Sequence, residues 1–236
     1  MADKPNLPAK HSSSQQIDAF LDSAARVPAL SQAKGRMIFA IDATMSRQPT
    51  WDRAVEIQSD MFEVAHAIGG LAVQLVFFRG AGEFITSEWA TTPSALAGRM
   101  RAVTTRSGFT QMGKVLRHAV KEAKVTRVGA LVYVGDCFEE APDSVMAEAG
   151  KLALLGVPAF VFHEGDEPVA AQAFQEIARL TNGAYARFDQ GAAEQLRALL
   201  KAAAVYATGG AVALREYGEE TGGEVLQLSR RMGRKR

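Results

Sequence analysis

Cysteine occurs once in this chain of 236 residues, at Cys137. An internal disulfide is thereby excluded, and a reducing, cytoplasmic setting is expected. An excess of one charge is also lacking: 27 Lys and Arg oppose 26 Asp and Glu, a formal net charge of +1. That balance provides no overall field to steer nucleic acid or an anionic membrane toward the chain. No apolar run is long enough to cross a bilayer, and the opening MADKPNLPAKHSSSQQ lacks the apolar centre of a secretory signal, so neither spanning nor export is expected. There is no repeat at a solenoid period, no G-x-x-x-x-G-K-[ST] phosphate loop and no G-x-S-x-G nucleophile elbow. What remains is 47% hydrophobic and 22% charged, the composition of a globular domain with one large core.

Along the chain, residues 1–15 read as a polar, proline-bearing leader, and 16–25 as a short amphipathic helix. MIFAID, 37–42, is a brief apolar run ending in an acid, as expected of a central strand buried on both faces. From Trp51 to Ile68 apolar residues recur at helical spacing until Gly69-Gly70 ends the pattern. Runs 71–78 and 83–89, separated by Arg79-Gly-Ala-Gly82, predict a hairpin and hence an antiparallel edge strand. Helices are predicted over 93–103, 111–124, 143–155, 169–180 and 192–206, and strands over 128–134, 157–162 and 183–188. The alternation implies an α/β, doubly wound, mainly parallel six-stranded sheet with one antiparallel edge strand and helices on both faces. We therefore read a leader (1–15), a domain with an N-terminal helix (16–208), and a tail (209–236) with at most short helices and a basic end of Arg230, Arg231, Arg234, Lys235 and Arg236.

In doubly wound sheets the ligand crevice lies beyond the carboxyl ends of the strands, at the point where strand order reverses. Asp42 ends the first predicted strand, Thr44 and Ser46 follow at spacings of two, Thr110 precedes a helix, and Asp136 ends a later strand. An extended loop can turn the first three side chains the same way, and the topology can bring Thr110 and Asp136 to them. Three hydroxyls and two carboxylates form a hard oxygen set suited to Mg²⁺, with Mn²⁺ or Ca²⁺ as alternatives, rather than to zinc. Neutral hydroxyls leave cation charge uncompensated, which favours an Asp or Glu from another protein as a further ligand.

These residues resemble the von Willebrand factor A family and its metal-ion-dependent adhesion site, whose pattern is D-x-S-x-S, then a distant T and a distant D. Here the series is Asp42-Ala-Thr44-Met-Ser46, Gly108-Phe-Thr110 and Gly135-Asp136, with Thr44 the one departure. The resemblance runs from Met37 to Tyr206 and implies hydroxyl ligands from Ser46, Thr44 and Thr110, with Asp42 and Asp136 binding directly or through water. It also implies a soluble, bacterial-type, non-enzymatic adaptor or scaffold.

Taken singly, Thr44, Ser46 and Thr110 would be read as capping residues. Two acids meeting in a crevice, however, need a cation or a shifted pKa to relieve their repulsion. The run from His163 to Glu167 reads as a solvated loop, Cys137 as a packed thiol, Arg47 as a surface residue, and His66 and His118 as helix residues without metal-ligand spacing. One alternative function is a Mg²⁺-dependent phosphohydrolase of haloacid-dehalogenase type, but that chemistry needs an acid two positions after Asp42, where Thr44 stands. Another is RNA or ribonucleoprotein binding through the basic tail, which lacks interleaved aromatics for base stacking.

Overall fold

In the computed structural model the residues described are 35–44, 48–66, 68–189 and 192–233. The expected leader and the helix over 16–25 lie outside them, as do Ser46, Arg47 and the last three residues. The elements are β1 (Gly35–Asp42), α1 (Gln48–Ile57), α2 (Ser59–His66), β2 (Leu71–Arg79), β3 (Glu83–Ala90), α3 (Pro93–Arg101), α4 (Met112–Val125), β4 (Ala130–Gly135), α5 (Pro142–Leu154), β5 (Ala159–Glu164), α6 (Pro168–Leu180), β6 (Ala184–Phe188), α7 (Ala193–Thr221) and α8 (Gly223–Gly233).

The six strands lie in the order β3-β2-β1-β4-β5-β6. Every pairing is parallel except β2 with β3, the hairpin expected from its glycine-rich turn. The sheet is thus the predicted one, mainly parallel with one antiparallel edge strand. Side chains of β1 alternate between two buried faces, as pleating requires. Met37, Phe39 and Ile41 pack with Trp51 of α1, Met61 of α2, Met100 of α3 and Leu199 of α7. Ile38 and Ala40 pack with Leu116 of α4, Val145 of α5 and Phe174 of α6. Burial on both sides explains why the parallel strands read as apolar runs without polar alternation.

Two helical regions differ from expectation. The pattern over 51–68 is two helices meeting at buried Gln58, not one. Its period survives the break because Trp51, Ala54 and Ile57 before it, and Met61, Phe62 and Ala65 after it, all join the same buried cluster. The second difference is at the C-terminal end. A helix over 192–206 and a tail from 209 with at most short helices are expected, but α7 is only kinked at Gly210 (φ 72°, ψ −162°) and continues to Thr221, and α8 follows. Leu214, Val225 and Leu228 are then buried in the core. Glycine adopts the left-handed φ without steric cost, so the same residue can end a helix or bend one. Among the described residues no helix is long and apolar enough to cross a membrane.

Candidate functional site

After β1 the chain proceeds outward through β2 and β3, then returns to lay β4 on the other side of β1. The order therefore reverses between β1 and β4, and their carboxyl ends flank the crevice this topology creates. Ile41 pairs with Val134, so Asp42 and Gly135 stand level and Asp136 lies one residue further on.

Asp42, Thr44, Thr110 and Asp136 line one cavity of about 270 Å³, together with Ser107, Gly108, Cys137 and Glu139. Four of the five predicted ligands are thus brought together, whereas Ser46 lies outside the described residues. Asp42 is buried, and its Oδ1 accepts the Thr44 N–H at 2.8 Å, folding the loop back over the end of β1. Ala43 ties three segments together: its N–H donates to the Phe78 carbonyl of β2, and its carbonyl accepts from the Arg106 N–H at 3.0 Å. Thr110 and Glu139 are reciprocally bonded across the cavity. The Thr110 N–H donates to the Glu139 carboxylate at 3.1 Å, and the Glu139 N–H donates to Thr110 Oγ1 at 3.0 Å. A hydroxyl has two lone pairs, so Thr110 Oγ1 keeps acceptor capacity beyond this bond. Next to it, the Glu140 carboxylate accepts the Gly113 N–H at 3.0 Å and caps the start of α4.

The electrostatics of the cavity are negative. Burial, and then the charges of Asp136, Glu139, Asp42 and Glu167, push the Cys137 thiol up to about 11, so at neutral pH it is a neutral group. Among the described residues no three His, Cys, Asp or Glu side chains converge closely enough to hold a metal ion by themselves. A cation here has to draw on hydroxyl oxygens as well, which is the donor mixture these loops present. The residues present fit a hard divalent ion.

The region from His163 onward, expected as a solvated loop, starts inside β5. His163 and Glu164 are its last two residues and both are buried. Burial holds the His163 imidazole below its ordinary pKa. In the neutral ring, Nε2–H donates to the Asp136 carbonyl at 3.2 Å and Nδ1 accepts from the Tyr185 hydroxyl at 2.9 Å. Glu164 accepts from the Thr50 hydroxyl of α1. Glu139, which lines the cavity, is the residue that sequence reasoning missed, and His163, read as part of a solvated loop, instead holds the Asp136 carbonyl from inside β5. Glu139 has a signal in the acidic run 136–140, but its bond to Thr110 spans 29 positions and has no local spacing.

No family model and no curated protein matches the sequence. Solved structures match by shape. An aerotolerance-related membrane protein from Bacteroides fragilis aligns over 72% of this chain and 98% of its own, with TM-score 0.55 and 16% identity. The SpRpn10 VWA domain aligns over 74% of this chain and 97% of its own, with TM-score 0.54 and 13% identity. Proximal thread matrix protein 1 from the mussel byssus, described with a zinc-occupied MIDAS motif, aligns over 73% of this chain with TM-score 0.54 and 15% identity; there this chain spans 47% of the other. In strand order, antiparallel edge and helical layers, the chain has the von Willebrand factor A fold.

Proposed function

We propose that the chain is a non-enzymatic, metal-dependent protein-binding module, an adaptor or scaffold. Asp42, Thr44, Ser46, Thr110 and Asp136 hold one divalent cation, Mg²⁺ by preference, and an Asp or Glu of a partner protein completes its coordination. The observation that carries this reading is the convergence of Asp42, Thr44, Thr110 and Asp136 on one cavity at the strand-order reversal. A bound cation would supply a hard Lewis-acid centre, and with Asp42 or Asp136 acting through water it would keep both positive charge and a position for an outside carboxylate. Asp42 and Asp136 contribute the charge, while Thr44 and Thr110 contribute neutral oxygens. The bonds from Ala43 to Arg106 and from Thr110 to Glu139 set the spacing of the loops before any ligand arrives. The zinc-occupied MIDAS motif of the mussel protein supports a cation at this position of the fold. A hydroxyl at Thr44, where a phosphohydrolase needs an acid, supports binding over catalysis. The single-cysteine composition supports a cytoplasmic setting.

The test begins with calorimetric titration of Mg²⁺ and Mn²⁺ into the full chain and into Asp136→Ala and Thr110→Val. The wild type should bind one equivalent, and both variants should lose measurable binding while keeping their circular dichroism. Affinity capture from lysate, with and without chelator, should then retain proteins only on the metal-loaded wild type. Equal binding of cation by wild type and variants would refute the site.

A further inference from the structure

Phe109 is the one exposed aromatic side chain among the described residues, at 67% exposure. It sits between Gly108 and Thr110, both of which line the candidate cation cavity, so its backbone lies at the rim and its ring is turned to solvent. The backbone that carries it is held on both sides. Upstream, the Arg106 N–H donates to the Ala43 carbonyl at 3.0 Å, and the Arg79 guanidinium bonds the Thr104 carbonyl. Downstream, the Thr110 N–H is held by Glu139 at 3.1 Å. Between these anchors Gly108 lies directly on the Gly80 backbone, where a Cβ would overlap main-chain atoms. A loop pinned at 106, 108 and 110 that still turns an aromatic ring to solvent exposes that surface without conformational necessity. Rigid exposed aromatics are the side chains that anchor protein interfaces, because they bury large area at little entropic cost.

We infer that Phe109 is the apolar anchor of the partner-docking surface, and that the partner is a protein segment carrying a large apolar side chain within a few residues of its acidic one. This rests on the metal-dependent reading above. Charge supports that occupant. Asp42, Asp136 and Glu139 line the cavity and repel an acidic segment until a cation is held. Arg106, though its side chain is 67% exposed, is paired with Glu83 at 3.8 Å, so the acid of the occupant is matched by the cation alone. A segment with one acid and one apolar residue satisfies cation and ring together.

The experiment selects a random dodecapeptide display library on the immobilised full chain in Mn²⁺, elutes with chelator, and repeats the selection on Phe109→Ser. Enriched wild-type binders should pair Asp or Glu with Leu, Ile, Met or an aromatic one to four positions away. Their affinity for Phe109→Ser should fall by about tenfold or more, while Mn²⁺ affinity stays at the wild-type value. Acidic, chelator-released peptides that bind Phe109→Ser equally well would overturn the anchor and leave the cation site standing. A selection that yields no acidic chelator-released peptides would overturn the carboxylate reading itself. Chelator-sensitive binding of a short single-stranded RNA that Phe109→Ser abolishes would assign the ring to a base and likewise overturn the proposal.

Discussion

His163 acts on the candidate site at one remove. Its Nε2–H reaches the Asp136 carbonyl, its Nδ1 accepts from Tyr185, and the imidazole is wholly buried among aromatic rings, with Phe174 edge-on at 5.3 Å. The carboxylate of Asp136 takes its direction from the backbone that this bond fixes. His163→Leu should therefore keep the fold but lower Mn²⁺ affinity by roughly tenfold, the usual effect of losing an outer partner of a metal ligand. It should also cost about 1–3 kcal/mol in urea unfolding, since the bonds of His163 to the Asp136 carbonyl and to the Tyr185 hydroxyl are both lost. Unchanged Mn²⁺ affinity in a folded His163→Leu chain would remove His163 from the site. This residue was hidden in the sequence because β5 runs two residues past the end of its apolar signal and the strand closes on His163-Glu164. The meeting of Asp42, Thr44, Thr110 and Asp136 at one cavity was readable because the topology puts the ends of β1 and β4 side by side.

At the scale of elements, the hairpin turn between β2 and β3 is a support for the loop before α4. Gln111 Nε2–H donates to the Glu83 carbonyl at 3.2 Å, Lys114 reaches the Gly82 carbonyl at 3.1 Å, and Gly108 rests on Gly80. Gly108→Ala should lift this loop off the hairpin, lowering both the melting temperature and Mn²⁺ affinity, whereas Gly98→Ala in α3, with open space around it, should be neutral or stabilising. Comparing the two variants in a melting and Mn²⁺ titration series separates loop displacement from a general response to alanine. Helix α4 also carries a pH response. His118 Nε2–H donates to Gln74 Oε1 at 2.8 Å against the Phe84 ring. Burial lowers its pKa below 6.5, Lys121 lowers it further, and Glu122 raises it in part. A depressed histidine pKa means the unfolded chain takes up a proton that the folded chain resists. Stability is thus complete above about 6.5 and declines as pH falls through that value toward the folded pKa. His118→Gln, which keeps a donor toward Gln74, should flatten that decline in urea midpoints measured from pH 7.5 to 5. An unaltered decline would assign the acid response elsewhere.

The described residues form two helical layers on a sheet whose fold was readable from the alternation of helical periods with short, turn-bounded apolar runs, which suit strands buried on both faces by their length and β-branched content. The C-terminal helices were not readable. A glycine pair has the same signature at a kink as at a terminus, and only the burial of Leu214, Val225 and Leu228 distinguishes them. Leu214→Ala should destabilise the chain by about 2–4 kcal/mol in urea unfolding, the range for a fully buried leucine, although it lies beyond the last strand. A loss under about 0.5 kcal/mol, as for a surface change, would detach that helix from the core. The Thr50–Glu164 bond ties the start of α1 to the end of β5. Trp51, the next residue, is buried with its indole N–H on the Met100 carbonyl at 3.1 Å and its ring edge-on to Phe77. The chain has 2 tryptophans, and the other, Trp89, lies on β3. With Trp89→Phe in place, the molecule becomes a single-fluorophore optical gauge whose indole rides on α1, seven residues along the chain from Thr44. A blue or red displacement of its emission on adding Mg²⁺ would record α1 answering the proposed ion, and a silent spectrum alongside calorimetric binding would record a cradle that takes it without moving.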